Sequence, residues 1–124
     1  MKHTLLKCIA MTILALALAA CATIKKYPNV VVYGSGIEID RVSDHVLDAG
    51  APQVIVFGQS TSSFRRAIRY RALWSDGAGR PIKTTVSNWN EMTLDGRRPF
   101  TMEFVGPGER ARGYHVEIEV LEHN

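Results

Sequence analysis

Cysteine is nearly absent from this chain of 124 residues: there are two, Cys8 and Cys21, and none follows position 21. From residue 22 onward there is no thiol to supply a disulfide staple, a catalytic nucleophile or a soft metal ligand. Charge of one sign is equally scarce. The whole chain carries 15 Lys+Arg against 12 Asp+Glu. Two of the basic residues, Lys2 and Lys7, lie in the first 20 positions and none of the acidic ones do, so the remainder is nearly neutral at +1. A balance so even gives no support to a nucleic-acid or generally acidic partner. Catalytic and nucleotide signatures are missing as well. There is no G-x-S-x-G elbow and no G-x-x-x-x-G-K-[ST] loop, and Gly34-Ser35-Gly36 lacks the third glycine and the helix of a dinucleotide site.

The only long apolar run stands at the amino terminus. Lys2 and Lys7 form a basic region, Ile9 to Leu18 an apolar one, and Leu18-Ala19-Ala20-Cys21 closes it with the small residues that a signal peptidase needs. This reads as a bacterial lipoprotein processing site. Cleavage leaves Cys21 as the first residue, acylated on its thiol and its new amine, so lipid and not a spanning helix holds the protein on its membrane. The stretch from Leu5 to Ala20 is short of the roughly 20 apolar residues of a bilayer crossing and is interrupted by Lys7, Cys8 and Thr12. The expected organisation is therefore a signal peptide over 1–20, the lipidated Cys21 with a short tether to 29, and one domain over 30–124. Eight tether residues reach at most about 28 Å, which keeps the domain close to its leaflet. Ala22 behind the acylated cysteine is not the aspartate of inner-membrane retention, so the expected location is the periplasmic face of the outer membrane.

Past Val30 no apolar 3.6-residue period is long enough for a helix, and short β-branched and aromatic stretches alternate with Gly, Pro, Asn and Asp. Strands are expected at 30–33 and 37–42, divided by Gly34-Ser35-Gly36, then at 54–57, 65–74, 81–86 as an edge, 89–94, 100–104 and 114–120, with a loop over 43–52. Ile68, Tyr70, Ala72 and Trp74 share the inward face of their strand; Phe100, Met102 and Phe104 alternate with polar neighbours; Tyr114, Val116, Ile118 and Val120 point inward at the end. About seven short strands predict an all-β fold, a small immunoglobulin-like two-sheet β-sandwich.

The order of these strands and turns resembles the YcfL-type lipoproteins of Gram-negative bacteria. The resemblance spans roughly Ile37 to Val120 and rests on Val54 to Phe57, the run Ile68-Arg69-Tyr70-Arg71-Ala72-Leu73-Trp74-Ser75-Asp76 with Gly79, then Trp89, Met92-Thr93-Leu94, Gly96, Phe100 to Phe104, Pro107, Ala111 and Tyr114 to Ile118. It implies a periplasmic, lipid-anchored sandwich with a role in the cell envelope and no catalytic residue to carry over.

Few side chains invite a chemical reading. Ser43-Asp44-His45 has the residue types of a hydrolase triad, but neighbours in sequence cannot stack nucleophile, base and orienter in line. Asp40, Asp44, His45 and Asp48 offer possible cation ligands at a spacing that fits no EF-hand, and a solvated acidic loop is the expected state. Trp74 and Trp89 are expected in the core or as caps at a sandwich end. The candidate binding residues are the arginine stripe Arg65, Arg69 and Arg71, with Arg66 at its start, which suits carboxylates or phosphates. Its competing reading is cross-strand neutralisation by Glu103, Glu117 and Glu119. No cofactor and no enzymatic activity are expected. The partners expected are the membrane through Cys21 and an envelope protein held by the sandwich; the alternative is a module that binds peptidoglycan or lipopolysaccharide.

Overall fold

Residues 26–121 are described by the computed structural model; the expected signal peptide over 1–20, Cys21 and the first half of the expected tether lie outside the described residues. Seven strands run in the order β1 (Val30–Tyr33), β2 (Ile37–Val46), β3 (Pro52–Ser60), β4 (Arg66–Ser75), β5 (Asn90–Leu94), β6 (Pro99–Val105) and β7 (Gly113–Val120). They form two sheets, β1-β7-β4-β5 and β2-β3-β6. The fold is thus the two-sheet β-sandwich of seven strands that the alternation predicts. Among the described residues no helix is long and apolar enough to cross a membrane.

Alternation writes the core directly. Val54 and Val56 of β3, Phe100, Met102 and Phe104 of β6, Ile68, Ala72 and Trp74 of β4, and Val116 and Ile118 of β7 are all buried, each on the inward-facing side of its strand. Tyr70 meets Phe104 edge to face, with ring centroids 5.8 Å apart, so the two inner faces interlock through aromatic as well as aliphatic contacts. The chain crosses from one sheet to the other through Gly34-Ser35-Gly36. Gly34 and Gly36 adopt φ of 112° and 89°, a left-handed region that suits glycine, and the bend lets β1 pair in parallel with β7 while β2 pairs with β3.

Three expectations about local structure need correction. The segment 43–52 is not one long loop: β2 continues to Val46, which pairs with Pro52, and only 47–51 turn, closed by Leu47 N–H to the Ala51 carbonyl at 2.8 Å. Ser43, Asp44 and His45 are weak strand formers, yet the antiparallel ladder to β3 supplies partners that local propensity does not reveal. The stretch 81–86 forms no edge strand. Pro81 makes an isolated bridge with Ser75, and Thr84 then caps a 3-10 turn over Thr85–Ser87 by accepting the Val86 N–H at 3.3 Å. Trp89 is half-buried, lies one residue before β5 and is absent from the core cluster.

Candidate binding site

Two members of the arginine stripe, Arg69 and Arg71, are carried on the outer face of β4, and the register with β7 sets Arg69 opposite Glu119 and Arg71 opposite Glu117. Arg69 Nη2 lies 2.6 Å from Glu119 Oε2 and its Nε 2.7 Å from the same oxygen; Arg71 Nη2 lies 3.2 Å from Glu117 Oε1. Both guanidiniums also face the Trp89 ring, at 4.5 and 4.2 Å from its centroid. A guanidinium pressed on an indole and paired with a carboxylate is already engaged on two sides. Arg71 and Glu117 are the more enclosed pair, with side chains 30% and 15% exposed. Arg65 stands apart from these two. It precedes β4, and its 3.5 Å pair with Asp95 is largely exposed on both sides and contributes little to stability. Glu103, expected as a partner of the stripe, belongs to the other sheet, where it accepts a hydrogen bond from Gln53. Sequence reasoning finds the stripe and two of its acids, and misses Trp89 as the surface that orders it.

A second feature, invisible in the sequence, is a cleft of about 540 Å³ at one end of the sandwich. The end of β2 gives it Asp44, His45 and Val46; Pro52 and Val54 open β3; Trp74 closes β4; and Glu109, Ala111, Arg112 and Tyr114 come from the β6–β7 connection and the start of β7. Trp74 and Tyr114 are cross-strand partners with ring centroids 6.3 Å apart. The indole Nε1 of Trp74 is buried without a hydrogen-bond partner. Ser43, Asp44 and His45 lie on an extended strand, so successive side chains alternate faces and do not form a relay. Among the described residues, no three His, Asp or Glu side chains gather closely enough to hold a metal ion.

Electrostatics in the cleft centre on Tyr114. Burial raises its phenol pKa above the ordinary tyrosine value, the Asp44 carboxylate raises it further, and a hydrogen bond with Asn29 offsets part of this. Because the folded protein holds this proton more tightly than the unfolded chain, its stabilising contribution is complete below about pH 10 and is lost as pH rises through the folded value. Urea titrations should show wild type losing stability above about pH 10 more steeply than Tyr114→Phe, with the two curves parallel below it. Parallel curves throughout would refute a raised Tyr114. Outside the cleft, Asp76 is held below the usual carboxylate range, first by the Arg80 backbone N–H and, against a desolvation cost, by that of Ala78. Its contribution is present above the unfolded carboxylate pKa and is lost on acidification.

The third feature is a sheet edge that no other strand pairs among the described residues. β1 and β5 are short edges of four and five residues. β2 is a ten-residue edge blunted in two ways: its register shifts between Ile39 and Arg41, and Tyr27 donates its hydroxyl to the Asp40 carbonyl at 2.9 Å. β6 has neither protection. Its seven residues pair with β3 in unbroken register from Gln59↔Pro99 to Gln53↔Val105, and β3 is its one neighbour in the sheet.

Together these features define a β-sandwich domain with, among the described residues, one regular open edge, a self-neutralised arginine face and an end cleft of mixed polar and apolar lining. The model of the family described as "Protein of unknown function (DUF1425)" matches residues 29–120, and the chain belongs to that family. Two solved structures are similar to it. One is the crystal structure of a DUF1425 family member from Shewanella sp. pv-4, at TM-score 0.62 and 17% identity over 71% of this chain and 81% of that one. The other is that of Campylobacter jejuni cj0090, at TM-score 0.62 and 15% identity over 75% of this chain and 98% of that one. At such identities the likeness concerns the fold alone. No curated protein matches the chain.

Proposed function

We propose that this chain is a YcfL-type lipoprotein, acylated at Cys21 on the periplasmic face of the outer membrane, whose sandwich works without catalysis by holding an envelope protein. The observation that supports this reading best is the open edge of β6. A regular strand with one unpaired side is a template for an extended segment of another polypeptide: backbone hydrogen bonds supply affinity, and alternate side chains such as Thr101 and Glu103 supply selectivity. Arg69 and Arg71 serve this domain as internal bracing of the opposite sheet, since each already has a carboxylate and an indole.

A photo-crosslinking residue placed at Thr101 or Glu103 in living cells tests this. One adduct of a distinct protein at both positions, absent when the same residue is placed at Gly77, is the expected result. Adducts that are equal at Gly77, or none at either edge position, would remove the reading; an adduct of two copies of this chain would replace it with self-assembly. A second reading, a module for peptidoglycan or lipopolysaccharide, draws on the end cleft, whose 540 Å³ falls in the range of small-ligand sites. Salt-sensitive cosedimentation with purified sacculi, lost in Asp44→Asn or Arg112→Gln, would favour it, and no cosedimentation at low salt would exclude sacculi.

A further inference from the structure

The pole of the sandwich opposite the cleft is formed by two connections, 61–65 between β3 and β4 and 95–98 between β5 and β6. They are stitched together: Arg97 N–H donates to the Ser62 carbonyl and Ser60 N–H to the Arg98 carbonyl, each at 2.9 Å. Phe64 stands on this pole 72% exposed, more than the other large apolar side chains that lie open among the described residues. Arg65 and Arg66 follow it in sequence, and Arg97 and Arg98 belong to the connection stitched beside it. Arg66 is fixed there by donating from Nη1 to the Ser35 carbonyl at 2.8 Å, and Arg97 sits at φ 56° on the turn. Among the described residues, the acids nearby are Asp95, paired with Arg65, and Glu38, whose strand partner Gln59 adjoins Ser60. Among the described residues, four guanidiniums against two carboxylates leave the pole positive. The cleft pole is balanced, with Asp44, Asp48, Asp76 and Glu109 against Arg80, Lys83, Arg110 and Arg112.

The path of the chain into the fold leaves this pole within reach of the anchor. Lys26, the first described residue, shares a shallow groove with Val31, Val32 and Ile39, and Tyr27 is bonded to Asp40. β1 then runs from Val30, opposite Val116, to Tyr33, opposite Glu119, and Gly36 reaches Arg66 and Ser62. Asn29 accepts the Val116 N–H at 2.8 Å and adjoins the cleft-lining Tyr114, so Lys26 lies alongside the middle of the domain. Cys21 stands five residues earlier in sequence, a reach of at most about 18 Å, and the ten residues of β4 set the two poles roughly 30 Å apart, so the anchor can reach this pole and the choice of pole rests on Phe64 and the charge around it.

We propose that the Phe64 pole docks on the anionic leaflet that holds the protein's own anchor, with the phenyl ring in the headgroup region and Arg65, Arg66, Arg97 and Arg98 on lipid phosphates. The inference rests on the acylation of Cys21 proposed above. An exposed ring costs free energy in water and gains it at an interface, while guanidiniums pair with phosphate in a two-pronged geometry. With this pole down, the cleft faces away from the membrane and the β6 edge stands upright, its Pro99 end near the lipid.

The test uses the full-length, processed protein carrying Phe64→Trp, reconstituted in phosphatidylcholine vesicles with and without phosphatidylglycerol, with acylation read by mass spectrometry. Quenching of the introduced indole by brominated lipid, stronger with phosphatidylglycerol and absent from the protein without that substitution, is the expected result. Acylated protein without such quenching overturns the docking inference and leaves the anchor standing. Should the protein prove unacylated, the anchor reading falls, and cosedimentation with phosphatidylglycerol vesicles decides the pole alone. Binding weakened about 25-fold by R97Q/R98Q, about fivefold for each charge, would support docking; no binding would overturn it. Capture of an acidic protein by these arginines with no lipid quenching would overturn it too.

Discussion

Ile68→Ala is expected to remove about 3 to 4 kcal/mol of folding stability, the range for deleting a buried isoleucine side chain down to its β-carbon. Ile68 is fully buried on β4, an inner strand of the four-stranded sheet, where it pairs with Met92 of β5 on one side and Val120 of β7 on the other. Its neighbours belong to ladders on both sides and cannot collapse into the void without breaking register, so the cavity stays open. In a domain of this size the midpoint of thermal unfolding should fall by roughly 15 °C or more. Phe64→Ala supplies the contrast. It removes a larger side chain, but one that is 72% exposed, and should change stability by less than about 0.5 kcal/mol. Equal losses in the two variants would mean that the pole is packed and not open, which would also undercut its docking on lipid.

The strands legible in the sequence are those in which one face is greasy and the other wet. On β4, β6 and β7 the buried residues fall on one alternating face, so Ile68, Ala72, Trp74, Phe100, Met102, Phe104, Val116 and Ile118 can be assigned to the core from period alone. The failures fall where tertiary partners outweigh local preference. Asp44 and His45 look like loop residues and become strand because β3 offers a ladder; Val86 looks like strand and ends in a 3-10 turn because Thr84 caps one and Pro81 brings no donor. The arginine stripe is readable as a face, but its neutralisation depends on which strand lies beside β4. That neighbour is β7 with Glu117 and Glu119, and Glu103 is indistinguishable from them until the sheets are assigned. Trp89 escapes for the same reason: nothing in its spacing tells core from outer face. The end cleft and the open β6 edge depend on strand order, which one sequence does not encode in any local pattern.

Strand order also explains why a feature as small as a hydrogen atom decides the shape of the Phe64 pole. Gly96 lies in the β5–β6 turn directly against Ser63 of the β3–β4 connection, and a β-carbon there would overlap the Ser63 carbonyl oxygen and stand 2.6 Å from its carbonyl carbon. The obstacle is backbone, held by the Arg97 to Ser62 and Ser60 to Arg98 hydrogen bonds, and it cannot rotate away as a side-chain tip could. Gly96→Ala is therefore expected to cost about 3 kcal/mol, the upper range for overpacking, and to separate the two connections. Gly77→Ala is the control. A β-carbon there meets only Arg112 Cγ, at 3.8 Å, and the change should be neutral within about 0.5 kcal/mol. Urea unfolding of the two variants checks the energies, and amide exchange at Arg97 and Ser60 checks the mechanism, since both protons should lose protection in Gly96→Ala and keep it in Gly77→Ala. If Gly96→Ala is as stable as wild type, the two connections are not locked together, and the arginines around Phe64 are not held as one positive surface.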